Sequence, residues 1–545
     1  MRIEWRNRVF ACFSLVFFVS ACCVSFQAVS RSSAVASAHP LATDAGLDIL
    51  KKGGNAFDAA VAVTTTLAVV EPYSSGIGGG GFWLLHIAQD QRDVMIDGRE
   101  RAPLAASRAM YLDEDGNVIP GASIDGPLAA GIPGVPAAIE HLALNYGKLP
   151  LSVTLEAAIR HARSGFKTDR HYQRMASFRE KALNASAESA KLFLHDNKAP
   201  LPGTLIVQPD LADTLATIAS EGARGFYRGE LAAELVDAVV SSGGIWSRED
   251  LAAYRVVERK PVYGEYRGMK IVSAAPPSSG GVALVQMLKM LAGFDLDLLS
   301  ESRQIHLLAE VMRRAYRDRA EYLGDPDFVD VPVDRLTSTE HGKKLASTIR
   351  LDRATPSDEL RSIAVDAAKA TDTTHFSIID KDGNRVAATL SINYPFGSGF
   401  VAGKTGVLLN DEMDDFSAKP GVPNVYGLVG AEANAIEPGK RMLSSMTPTF
   451  LETGSRVAVL GTPGGSRIIT MVLLAALEFH QGGGAGQMVN RGRFHHQYLP
   501  DRIFYEPDVL SGSVLKSLFD IGHETEMLDS TYGNMHAIVL DKKSG

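Results

Sequence analysis

The sequence predicts a mixed α/β (α+β) chain built in several layers, and three observations carry that reading. With 545 residues, 45% of them hydrophobic and 22% charged, the chain exceeds what one small core uses and can bury a large one. From about Pro120 to Arg350 it reads as mostly helical, the pattern of outer layers. Downstream of Thr373 the apolar period shortens to two and strands dominate.

Residues 1–30 read as a signal peptide and spacer. Arg2, Arg6 and Arg8 stand against the single Glu4, and Val9 to Phe26 carries no charge, the layout of a secretory signal. A spanning anchor would need a longer apolar run less rich in small residues. Val19-Ser20-Ala21-Cys22 fits two outcomes, a plain cut after Ala21 or a lipoprotein box in which Cys22 is acylated and anchors the chain. Either way the expectation is export, to the periplasm or outer membrane of a Gram-negative cell. All three cysteines lie in the first 23 residues, so no disulfide is expected afterwards. A net charge of −8 without a dense basic run argues against nucleic acid as a partner.

Leu41 to Lys52 has Ala42, Ala45 and Ile49 on one face and stops at Gly53-Gly54, a helix with a glycine stop. Asn55, with Asp58 three residues on, starts a second helix apolar nearly all round, which belongs in an interior. Gly76 to Gly81 satisfies a dinucleotide fingerprint, but a helical stretch precedes it and the strand Phe82 to Ile87 follows, the reverse of what that site needs. Its expected role is close backbone packing. Arg99 follows the strand Val94 to Ile96, placed to face a pocket. Helix starts are marked at Ser152, Asp210 and Ser247, with apolar spacing in Leu231 to Val240. The cluster Ala274-Ala275-Pro276-Pro277-Ser278-Ser279-Gly280-Gly281 leads into a helix over Val282 to Leu291, and no separate chemistry is read there.

Phe376 to Ile379 opens a strand, Asp382-Gly383-Asn384 turns it, and Val386 to Ile392 returns, so a hairpin follows directly on Thr373. A chain cut between Asp372 and Thr373 would leave a threonine whose hydroxyl is a nucleophile and whose own α-amine, with a pKa of roughly 8, is a general base. On spacing alone this is a strand-start threonine. Further strands are expected over Gly406 to Leu409, Arg456 to Leu460 and Met535 to Leu540, and a helix over Ile468 to Phe479 entered from Gly464-Gly465. A Gly-Gly pair before a helix presents N–H groups to an anion, or is merely a tight turn. Ser398 occupies the place of the first glycine in a phosphate loop ending Gly403-Lys404-Thr405, which breaks that motif. Adjacent His495 and His496 face opposite ways on an extended segment, so no metal site is read.

The longer pattern adds a family. Gly53-Gly54-Asn55-Ala56, Asp97-Gly98-Arg99-Glu100-Arg101-Ala102-Pro103, Thr373-Thr374-His375, Asn393-Tyr394-Pro395, Asn410-Asp411-Glu412-Met413-Asp414-Asp415, Leu443-Ser444-Ser445-Met446-Thr447-Pro448 and Gly464-Gly465-Ser466-Arg467 together resemble the γ-glutamyltranspeptidases, over nearly the whole mature chain. The resemblance implies an N-terminal nucleophile hydrolase, a four-layer αββα sandwich. It implies self-cleavage after Asp372 into a large subunit, 31–372, and a small subunit, 373–545, which stay together as a heterodimer. Thr373 would then attack γ-glutamyl amides such as glutathione, passing the acyl group to water or to an amino acid or dipeptide acceptor, with no cofactor.

Carried over by motif, Ser391 stands where members commonly have a threonine that hydrogen-bonds the nucleophile, and Gly464 and Gly465 supply oxyanion donors. Arg99, Ser444 and Ser445 match the side that holds the substrate α-carboxylate, for which a guanidinium fork is suited. Asn393, Glu412 and Asp415 match the α-ammonium side, with Glu412 where some bacterial members have glutamine. Pro420 to Gly430 resembles the lid loop, with Tyr426 as its gating aromatic. Members carry a further strand beyond the segment ending here at Gly545, so the chain is expected to be shorter than its kin at that end. Two other readings stand beside this one. A glutaryl-type β-lactam acylase of the same fold is opposed by the ammonium set, and a non-catalytic, unprocessed binding relative by the joint presence of Thr373, Gly464-Gly465 and Arg99.

Overall fold

Two antiparallel sheets lie face to face between two helical layers in a computed structural model that describes residues 32–360 and 373–544. Cys22 and Asp372 fall outside the described residues. The first segment supplies β1 (Ala34–Ser37), α1 (Pro40–Lys51), α2 (Ala56–Val70), β2 (Gly80–Ile87), β3 (Arg92–Gly98) and α3 (Val135–Asn145). After a run of surface helices come β4 (Val257–Arg259), β5 (Val262–Tyr266), β6 (Met269–Ser273), α4 (Gly280–Leu291) and α5 (Glu301–Tyr322). The second segment adds β7 (Thr374–Ile379), β8 (Arg385–Ser391), β9 (Thr449–Glu452), β10 (Arg456–Gly461), α6 (Ile468–His480) and β11 (His536–Asp541).

The strand orders are β1-β7-β8-β2-β3-β4 and β11-β10-β9-β6-β5, so the two segments interleave in both sheets. Alternation along the strands feeds two cores. Phe82, Leu84, Met95, Ile379 and Ala387 share a core with Phe450, Ala458 and Leu460 of the facing sheet and with α4 and α6. Trp83, Leu85, Ile96, Ile378 and Val386 turn the other way, onto α2 and α3. Because both faces are buried, Phe82 to Leu85 carries apolar side chains at consecutive positions, not only at alternate ones. This is the αββα sandwich that the resemblance implied.

Local chemistry accounts for the framework. Asn55 Oδ1 accepts from the Phe57 and Asp58 N–H groups while Asp58 Oδ2 accepts from Asn55 N at 2.9 Å, the expected capping box at the start of α2. Asp380, in the β7–β8 connection, accepts from Ala56 N at 2.9 Å and from Asp382 N and Asn384 N, tying the hairpin loop to that helix start. The glycine run is structural: a Cβ on Gly78 would lie 2.1 Å from the Leu408 carbonyl oxygen, and one on Gly79 2.2 Å from that of Ser391.

The structure corrects several expectations. Gly406 to Leu409 is not a strand. Gly406 sits at φ 69, in the left-handed region, and only isolated bridges form, Gly78 to Leu409 and Val401 to Leu408. The hairpin connection is longer than an Asp-Gly two-residue turn because Asp380 closes it. The helix near Ser152 begins at Leu151 after Pro150, and Asp210 lies inside the first turn of a helix led by Pro209. The stretch read as mostly helical also supplies β4, β5 and β6. Among the described residues no helix is long and apolar enough to cross a membrane.

Candidate active site

Thr373 directly precedes β7, and β8 returns beside it to bring Ser391 close. Thr373 Oγ1 and Ser391 Oγ lie 3.5 Å apart, both buried. Ser391 Oγ also accepts from Asn393 N at 2.8 Å, and Asn393, at φ 74, donates its side-chain amide to the Asp411 carbonyl at 3.1 Å. Asparagine tolerates that left-handed backbone, which bends the chain into the cleft. Next to Thr373, Thr374 Oγ1 donates to Glu71 at 2.8 Å; burial pushes the Glu71 carboxyl up to about 7.

The cleft is lined by Thr373, Ser391, Asn393, Tyr426 and Gly465 together with Arg99, Glu412, Asp415, Ser444 and Ser445. Arg99 emerges from the end of β3 with no solvent exposure. Its Nη1 is 2.5 Å from Glu412 Oε2, and its Nη2 is 2.5 Å from Asp415 Oδ2. The groups that the sequence assigned to opposite ends of a zwitterion thus pair with each other. Glu100, at 3.6 Å from Arg99, adds a third carboxyl, and neither of its oxygens has a hydrogen-bond partner among the described residues. Burial raises Glu412 to about 7, against the pull of Arg99, and raises Glu100 well above the usual range with Glu412 adding to it. Burial works against the Arg99 charge, but Glu412, Asp415 and Glu100 outweigh it and hold the proton more tightly.

Ser444 and Ser445 sit on a loop fastened to the Pro-Ser-Gly cluster before α4. Ser444 N donates to the Pro277 carbonyl at 2.8 Å, Ser279 N and Oγ donate to the Ser444 carbonyl, and Ser278 Oγ donates to that of Met446. Gly464 and Gly465 join β10 to α6 with φ values of 142 and 54. Gly465 faces the cleft, and a Cβ there would strike the Tyr426 ring at 2.7 Å; Gly464 lies one residue back from the cleft wall. The Tyr426 hydroxyl donates to the Asn393 carbonyl at 2.7 Å, and Asn424 Nδ2 donates to Asp415 Oδ1 at 3.1 Å. The loop over the cleft is therefore tied both to Asn393, two residues past Ser391, and to the charged set.

His495 contacts Thr470 and Gln497, and His496 contacts Asp501, so the two rings share no site. Among the described residues, one convergent group of metal-ligand types does form elsewhere: His306, Glu310 and His523. Their atoms are committed, with His306 Nδ1 2.7 Å from His523 Nε2 and Glu310 held by Arg314 and by the Thr355 hydroxyl, each at 2.6 Å. Sequence reasoning also passed over Glu100, Ser278, Ser279 and Arg319. The Ser-Ser of Pro276 to Gly281 was the available signal, since consecutive hydroxyls in a rigid loop suit backbone-to-loop bonding.

A threonine heading an interior strand, faced by a glycine loop and set in an αββα sandwich, defines the N-terminal nucleophile hydrolase class. The family described as Gamma-glutamyltranspeptidase matches residues 42–544, and the chain belongs to that family. It is 43% identical over 490 residues, 88% of its length and 84% of the relative's, to the glutathione hydrolase proenzyme of Escherichia coli (strain K12). Among solved structures it is similar to cephalosporin acylase from Bacillus halodurans, with a TM-score of 0.81, 26% identity, and coverage of 100% of this chain and 96% of that one. It is also similar to Helicobacter pylori gamma-glutamyltranspeptidase, with a TM-score of 0.58, 43% identity, and coverage of 61% and 95%.

Proposed function

We propose that the protein is an exported, self-processing γ-glutamyl transferase and hydrolase, acting on glutathione and related γ-glutamyl amides. In maturation, Thr373 Oγ1 attacks the Asp372 carbonyl carbon and the amide becomes an ester. Water then cleaves that ester, leaving an Asp372 carboxylate and a free Thr373 α-amine. The two pieces remain one heterodimer because their strands interleave in both sheets. In turnover, the α-amine takes the Thr373 hydroxyl proton as Oγ1 attacks the γ-carbonyl, and it returns a proton to the leaving amine. Backbone N–H groups at Gly464 and Gly465 hold the oxyanion. Water or the amine of an amino acid or dipeptide then takes the γ-glutamyl group from the threonine ester.

The observation that carries this reading is the pairing of Arg99 with both Glu412 and Asp415 beside Thr373. A ligand carrying both an α-carboxylate and an α-ammonium can exchange those pairs without orphaning a charge. Its carboxylate moves onto Arg99, Ser444 and Ser445, and its ammonium onto Asn393, Glu412 and Asp415. A glutaryl group has only the carboxylate, so it would strand two acids in a buried site, which is costly. That asymmetry favours γ-glutamyl donors over the glutaryl acylase alternative. The test is release of a chromogenic γ-glutamyl anilide with and without a dipeptide acceptor. No release by processed protein would sink the reading.

A further inference from the structure

We propose that Arg319 is a positioning residue for the donor α-carboxylate, acting through Ser445; the proposal rests on the γ-glutamyl reading of the cleft. Arg319 lies on α5, 5% exposed, and its hydrogen-bond partners are two neutral hydroxyls. Nε donates to Ser279 Oγ at 3.0 Å and Nη2 donates to Ser445 Oγ at 3.3 Å, and among the described residues it forms no ion pair with a carboxylate. Arg99, the other buried guanidinium at this site, has Glu412 and Asp415. A buried guanidinium matched only by neutral acceptors is expensive, and the fold keeps it pointed at the carboxylate-side serine.

Hydroxyl bookkeeping gives the direction of action. Ser279 Oγ accepts from Arg319 and donates to the Ser444 carbonyl at 2.7 Å, which ties the guanidinium to the serine loop at two points. Ser445 Oγ accepts from Arg319, so its own proton is left to donate, and Ser445 lines the cleft. Ser444 Oγ likewise accepts from Met446 N at 3.1 Å. Both serines are thereby set as donors toward an incoming anion, and at Ser445 the orienting group is itself cationic. Three residues earlier on the same face of α5, the Tyr316 hydroxyl donates to the Ser466 carbonyl, so this helix also braces the glycine loop. Asp415 is the acid whose charge Arg319 feels from farther off, and Asp415 is already paired with Arg99.

The experiment is a double-mutant cycle on the processed enzyme with γ-glutamyl p-nitroanilide, using Arg319→Met, Ser445→Ala and the pair. Each single change should lower kcat/KM about tenfold or more, chiefly through KM, and the pair should fall no more than about threefold below the worse single. Arg319→Lys should recover part of the loss, since it keeps the charge without the fork. Losses that simply multiply, or that sit in kcat with normal KM, would overturn the proposal. If Arg319→Met fails to process, the cycle is run with Arg319→Lys and judged by the same additivity. A 4-aminobutyryl anilide, which keeps the ammonium and lacks the carboxylate, should lose at least about tenfold less than the γ-glutamyl substrate. Equal losses would mean that Arg319 merely holds the loop. Wild-type enzyme that releases nothing from γ-glutamyl p-nitroanilide would instead indict the underlying functional reading, so the two failures are distinct.

Discussion

Replacing Asp415 by alanine tests the ion-pair exchange most directly. Asp415 is 2.5 Å from Arg99 Nη2, receives Asn424 Nδ2 at 3.1 Å, and has a side chain only 13% exposed. Removing one member of a buried, hydrogen-bonded charge pair typically costs roughly 2–5 kcal/mol, because the partner charge stays desolvated. At about 1.4 kcal/mol per tenfold, kcat/KM for a γ-glutamyl anilide should fall by more than an order of magnitude. The variant also releases Arg99 from one competing acid, so a glutaryl anilide, bound through its carboxylate alone, should lose far less or gain. Self-cleavage should persist, since it involves no free amino acid. The assay is the ratio of the two losses in one fully processed preparation. Equal losses would show that Asp415 supports the fold or the nucleophile, and the charge-exchange reasoning would be wrong.

Three further outcomes are expected. Thr373→Ala should run as one inactive chain on a denaturing gel, because only that hydroxyl can attack the Asp372 carbonyl; cleavage of the variant at the same bond would refute the assignment. Glu71 sits at about 7 against an ordinary 4.5, so folding favours its protonated form; its contribution is full below pH 4.5 and is lost as pH rises through 7, by roughly 3 kcal/mol. Glu71→Gln, compared with wild type by thermal melts at pH 5 and pH 8, should therefore lose less Tm over that interval, and parallel curves would remove Glu71 as the cause. In a Gram-negative host the activity should appear in the periplasmic extract, starting after Ala21 and unaffected by Cys22→Ser; membrane retention abolished by that substitution would establish acylation instead.

Much of the framework was legible locally. Asn55 and Asp58 cap a helix three residues apart, the apolar run from Ile468 to Phe479 has room for only one period, and the glycines from Gly76 to Gly81 announced close backbone contact before their partners were known. The family motifs supplied Thr373, Arg99 and the acidic set, because each motif keeps its chemistry within a few consecutive residues. Where the expectation failed, as at Gly406 to Leu409, the deciding factor was a left-handed glycine and a neighbour more than 300 positions away, Gly78.

What the sequence by itself determined was the capped start of α2, the hairpin that follows Thr373, the helix over Ile468 to Phe479 and the close packing of the glycine run. Tertiary structure alone decided that Arg99 lies on Glu412 and Asp415, that Tyr426 reaches the Asn393 carbonyl, and that Arg319 backs Ser445. The physical reason is range. Propensity, capping and periodicity act over a few residues, whereas the charge of a buried side chain is balanced by whatever the strand order brings near it. Here that order interleaves strands from both sides of Thr373, so the electrostatics of the cleft exist only once both sheets are assembled.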